Sequence, residues 1–276
     1  MRKETFLEQK EKEPRPEKIA LFIRHPSVKW LDMLLEKAET EEQDIETYVP
    51  VNVEGLKMTK LLTDYLQKDL PQIFEKRDLN KEFTIFTSPI KRAKSAAEIA
   101  TENLKLAHTD NPDVPIPKNN EPIKVDYFGE IPWINKKEEA LKLVKEAKEK
   151  GVHPVRLWFE KEPKKIIGRL NDSLPKIEKG LKLLEESDTP VNIVFGHRLS
   201  TALTFWLVEQ KQLKRKKLKV TKDDLSRIAE LAGKMAYTSI SEFRYQESKE
   251  GKEWIVSSIA ETPHLEKESK LKKGIF

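Results

Sequence analysis

Leu21-Phe22-Ile23-Arg24-His25-Pro26 is the stretch on which the fold turns. An apolar, β-branched run over Ile19–Arg24, stopped by the turn signal His25-Pro26, reads as a short buried strand. Two later stretches repeat the form. Phe83–Phe86 reads as a strand that leads into Thr87-Ser88-Pro89-Ile90-Lys91-Arg92, and Val191–Phe195 reads as a strand that leads into Gly196-His197. Two of the three end in histidine and two deliver arginine. Strands alternating with amphipathic helices predict a three-layer α/β/α sandwich with a mostly parallel central sheet. In such sheets ligands bind outside the carboxyl ends of the strands, where all three stretches place their polar residues.

Working outward, Trp30, Leu31, Leu34, Leu35 and Ala38 form an apolar stripe at helical spacing over Ser27–Ala38. Asn52 is an N-cap for a helix ending before Pro71. Ser88 caps the next helix, with Pro89 at its first position. Residues 108–122 read as a loop and Ile123–Phe128 as a short strand. A charged helix over 136–150 stops near Gly151, and His153–Phe159 fits either periodicity. Ile166–Leu184 is amphipathic, interrupted or restarted around Pro175. Leu199–Val208 and Asp223–Ala236 are helical, and Ser239–Tyr245 with Glu253–Ile259 reads as a hairpin. The expected organisation is a polar tail over 1–18, an α/β domain over 19–265 and a polar tail over 266–276. Helical additions near 27–50 and 131–172 are expected to cover the strand ends.

Composition bounds the chemistry. In 276 residues, 37% are hydrophobic, enough for a sizeable core, and the 36% that are charged leave a net charge of only +5. That balance gives no reason to expect nucleic-acid binding. No cysteine is present, so disulfides, thiolate metal sites and cysteine nucleophiles are excluded. The first residues lack the apolar core of a secretory signal, and no apolar run reaches membrane-spanning length; a cytoplasmic location away from membranes is expected. The basic run from Lys211 to Lys222 reads as a solvated loop.

If the three strand ends meet, their side chains suit phosphoryl transfer. His25 is a nucleophile toward phosphorus when one ring nitrogen is deprotonated and the other donates to a carbonyl. Arg24 and Arg92 offer charged forks to phosphoryl oxygens. The helix N-terminus at Ser88 adds N–H groups, and His197 adds a donor for charge that develops during transfer.

With these motifs quoted, the chain resembles the histidine phosphatase superfamily, the phosphoglycerate-mutase-like group. Arg24-His25, Ser88-Pro89-Ile90-Lys91-Arg92-Ala93 and Gly196-His197 match its motifs in the family's order. Asn52-Val53-Glu54-Gly55, Tyr237–Phe243 and Thr262–Leu265 are similar to its flanking segments. The resemblance implies a phosphohistidine intermediate on His25, with Arg24, Arg92, Ser88 and His197 around the phosphate. It also implies no metal and no cofactor. The implied function is phosphomonoester hydrolysis; the alternatives are a phosphoglycerate-type mutase and a non-catalytic phosphate-binding protein. The expected partner is a small phosphorylated substrate, with a homodimer left open. Two departures stand out: Pro26 replaces the family's glycine, and Arg198, counted here as substrate-binding, replaces a small residue. For the proton donor, Glu130 is preferred for its longer reach, and Asp126 remains the alternative.

Overall fold

The computed structural model describes residues 18–26, 51–75, 81–131, 137–152, 154–214, 218–248 and 251–265. The expected helix over Ser27–Ala38, with Trp133, His153 and the two tails up to Glu17 and from residue 266, lies outside them.

Seven strands form one mixed sheet in the order β3-β2-β5-β1-β6-β7, with β4 also paired to β2. The strands are β1 (Lys18–Arg24), β2 (Glu82–Thr87), β3 (Ile116–Pro117), β4 (Ile123–Lys124), β5 (Val191–Gly196), β6 (Ile240–Ser248) and β7 (Gly251–Glu261). The pairings of β1–β5, β2–β5, β2–β3 and β2–β4 are parallel; β6 runs antiparallel to both β1 and β7.

The alternation along β1 builds two cores. Ile19, Leu21 and Ile23 face one layer, formed by α1 (Val53–Glu75) and α2 (Lys91–Asp110). Ala20 and Phe22 face the other. That second layer holds α5 (Pro163–Glu186), α6 (Arg198–Gln212) and α7 (Asp224–Lys234). Successive strand side chains point to opposite faces, so β1, buried from Ile19 onward, and β5, buried throughout, must be covered on both sides. The shorter α3 (Lys137–Glu149) and α4 (Pro154–Lys161) join the second core through Leu143, Val155, Leu157, Trp158 and Phe159. The stretch His153–Phe159 is thus helical from Pro154 onward.

Three sequence expectations change. Pro71 lies inside α1 and Pro175 inside α5, and both helices continue. Each proline sits off the buried face, while Leu70 and Phe74, or Leu174 and Ile177, keep the apolar stripe in contact. Lost backbone bonds at a wetted position cost less than unpacking that stripe. The predicted strand Ile123–Phe128 shortens to Ile123–Lys124, followed by a 3-10 turn at Asp126–Phe128. Finally, α2 starts at Lys91 rather than next to Ser88. Asn52 caps α1 as expected, its Oδ1 accepting the Gly55 N–H at 2.7 Å.

Candidate active site

Sheet register brings the three motifs together. Arg24 pairs with Gly196 across β1 and β5, so His25 and His197 leave neighbouring strands side by side. The His25 N–H donates to the Gly196 carbonyl at 3.1 Å, and the Ser88 N–H to the Phe195 carbonyl at 3.0 Å. The two imidazole centroids are 5.2 Å apart.

His25 is held in one tautomer. Its Nδ1 lies 2.9 Å from the Pro26 carbonyl, which can only accept, so Nδ1 carries the proton. Its Nε2 lies 3.3 Å from Nε of Arg92, which can only donate, so Nε2 presents a lone pair. Burial, then the charges of Arg92, His197 and Arg24, holds the ring well below the ordinary imidazole range. The ring is therefore held in its neutral form, with the lone pair on Nε2. The substitution at Pro26 does no harm to this arrangement, because the contact uses its carbonyl rather than the N–H that proline lacks.

His197, 1% exposed, is fixed from the other side. Its Nε2 is 2.9 Å from Oγ of Ser88. That Oγ also accepts the Ile90 N–H at 3.3 Å, and the Glu130 carboxylate 3.0 Å from Nδ1 of the ring favours the proton there, with the Ser88 hydroxyl donating to Nε2. The ring then carries its own proton on Nδ1. Burial, then Arg92 and Arg24, keeps this histidine neutral as well. Ser88 is thus occupied with the imidazole and does not act as the N-cap of α2.

Two guanidiniums, Arg92 and Arg24, act on the pair, and a third, Arg198, lies beside Arg24. Arg92, the second residue of α2, also meets Glu130 through Nη2. Arg24 donates from Nη1 to the Met235 carbonyl at 2.6 Å and lies 3.9 Å above the ring of Tyr237. Its Nε has no partner among the described residues. Arg198, 8% exposed, opens α6 directly after His197; burial and then Arg24 push its guanidinium well below its ordinary value. Poorly solvated cations of this kind gain from an anion more than solvated ones do.

Glu130 completes the cluster. Its Oε2 meets Arg92 and lies 3.0 Å from Nδ1 of His197. This second contact is within ion-pair distance but lacks the alignment of a hydrogen bond. The 3-10 turn before it is clamped: Phe128 is buried edge-on against Phe22 at 4.9 Å, and its carbonyl accepts from Oγ of Ser200 at 3.1 Å. Asp126, the alternative donor, goes elsewhere. It is 66% exposed and paired with Lys176 at 2.8 Å, because burying Phe128 turns the start of the 3-10 turn outward. Asp126 therefore belongs neither to the donor position nor to the phosphate pocket. Arg156 and Arg169 are also apart from the cluster: the first pairs with exposed Glu160, and the second stands over Trp158.

No family model matches the chain, and no curated protein matches it. Solved structures do. The chain is similar to a mutant phosphoserine phosphatase from Entamoeba histolytica in complex with phosphoserine, at 13% identity and a TM-score of 0.45 over 90% of this chain and 99% of that one. It is similar to a phosphoglycerate mutase from Bacillus anthracis, at 14% identity and a TM-score of 0.46 over 92% and 98%. A mycobacterial glucosyl-3-phosphoglycerate phosphatase with VO3 matches at 10% identity and a TM-score of 0.46 over 89% and 100%.

Two contributors were not legible as such. Tyr237 opens a segment the sequence singles out, but nothing local shows that its ring lies beneath Arg24. It precedes Thr238, a non-glycine residue at φ 55°, a conformation that costs energy for a β-branched residue and fixes the turn into β6. Ser200 carries no motif, and its role depends on the distant Phe128 carbonyl.

Proposed function

We propose that the chain is a phosphomonoester hydrolase of the histidine phosphatase type, acting through a phosphohistidine at Nε2 of His25. The observation that carries this reading is the fixed tautomer of His25, with its lone pair facing Arg92 and the charge of Arg24 close by. In the first step Nε2 bonds to phosphorus while the bond to the ester oxygen breaks, and the Glu130 carboxyl protonates that leaving oxygen. In the second step water attacks the phosphohistidine, Glu130 takes its proton, and inorganic phosphate leaves with His25 restored. The guanidiniums provide the charge stabilisation for both steps, so the reaction proceeds without an added metal ion. The substrate is a small phosphorylated molecule, and a cytoplasmic location is part of the same reading. Among the described residues no helix is long and apolar enough to cross a membrane.

The test is hydrolysis of an aryl phosphate without added metal, for the wild type and His25→Ala. Loss of at least about a thousandfold in the variant is expected, the scale of removing a nucleophile. Equal rates in both overturn the proposal. Interconversion of 2- and 3-phosphoglycerate without hydrolysis would make the protein a mutase. Stabilisation by phosphate without turnover would make it a binding protein.

A further inference from the structure

A proton donor must arrive protonated, yet Glu130 is ion-paired with Arg92. Its carboxylate lies between Nη2 of Arg92 and Nδ1 of His197, two N–H groups suited to a phosphoryl oxygen. It fills that position imperfectly. Nδ1 of His197 is 1% exposed by residue, bears a proton and has no aligned hydrogen bond among the described residues. A tetrahedral anion has oxygens in more directions than a planar carboxylate and can satisfy both donors.

We infer that Glu130 is a resident anion: its carboxylate holds the phosphoryl position in the empty site, is displaced by the incoming phosphate, and takes up a proton as it leaves. The inference rests on the phosphatase reading and supplies the step that reading lacks. Substrate binding itself loads the acid. A carboxylate stripped of its guanidinium partner and left beside a dianion is favoured in its neutral form. The balance is simple: phosphate binds as the dianion and the displaced carboxylate gains one proton, which at pH 6 comes from the phosphate monoanion or from the buffer. Among the described residues, the other charged and titratable groups at these strand ends are Arg24, His25, Arg198 and Tyr237, with Asp126 engaged by Lys176 on the outer side. Both histidines are held neutral in the empty site by burial and the neighbouring guanidiniums, and the proton is assigned to Glu130.

The experiment is calorimetric titration of the full chain with inorganic phosphate at pH 6, in two buffers of different ionisation heat. Wild type and Glu130→Gln are compared. Phosphate's own protonation is common to both proteins, so their difference isolates Glu130. The net proton count for the wild type is expected to exceed that of the variant by up to about one, the proton that Glu130 gains. The variant is also expected to bind phosphate about tenfold more tightly, because two anions no longer compete for Arg92. Proton uptake equal in the two proteins, or weaker binding by the variant, overturns the inference while leaving His25-dependent hydrolysis intact. Absence of phosphate binding in the wild type overturns both. Glu130→Asp guards against a folding artefact: the shorter carboxylate should bind phosphate more tightly than wild type yet keep some proton uptake, and wild-type affinity there counts against displacement.

Discussion

At the scale of single residues, the site works by assigning each nitrogen one job. Pro26 fixes Nδ1 of His25 and Arg92 meets its Nε2. Pro26→Gly keeps that carbonyl, so turnover should be retained, while the freer unfolded chain should lower stability by about 0.4–1 kcal/mol, measured by urea unfolding. Arg92 has two contacts and lowers the His25 proton affinity. In Arg92→Ala the midpoint of His25 should rise toward the ordinary 6.5, because one of the charges that depress it is gone. NMR titration of the ring reads this directly, and an unmoved midpoint would refute the electrostatic account. Ser88→Ala should free Nε2 of His197 and lower kcat on the order of tenfold with KM less affected, as expected for a group that orients a transition-state donor.

At the scale of elements, the 3-10 turn at Asp126–Phe128 is what aims Glu130. Phe128 seats against α5 at Gly180, where an added Cβ would stand 2.5 Å from the phenyl ring. Gly180→Ala should therefore cost about 1–3 kcal/mol by overpacking and lower kcat as the turn shifts. Gly168, on the same helix, has nothing within 4 Å of such a Cβ. Gly168→Ala should raise stability by about 0.5–1 kcal/mol through helix propensity alone and leave kcat unchanged. Paired thermal melts and kinetics of the two variants separate packing from propensity. If Gly180→Ala keeps wild-type kcat, the clamp does not position Glu130.

At the scale of the whole molecule, burying neutral histidines ties stability to pH. His25 and His197 are held well below 6.5, and burial pushes His264 down to about 4. Below 6.5 the unfolded chain binds protons that the folded chain refuses, so stability present at neutral pH is lost as pH falls from 6.5 toward and past 4. Denaturant midpoints at pH 7.5, 6 and 4.5 should decline in that order. His264→Gln should flatten the decline from pH 6 to 4.5 without altering the chemistry at His25, since its Nε2 contact is to Thr238 rather than to the cluster. A slope unchanged in that variant would assign the loss to other groups.

What the sequence determined by itself is local. The apolar runs ending at His25, Ser88 and His197 specify strands, because alternation and β-branching act over a few residues, and the parallel sheet then requires their polar ends to lie together. Asn52 as a cap and the β6–β7 hairpin are legible for the same reason. Only the tertiary structure chose between Glu130 and Asp126. They lie on one short loop, and which of them turns inward depends on Phe128 finding Phe22 on β1, Gly180 on α5 and Ser200 on α6. The continuation of α1 and α5 through Pro71 and Pro175 was decided in the same way, by buried faces that outweigh a local break. Local chemistry writes the strands and places His25 at the end of the first. Long-range packing decides which carboxylate reaches it.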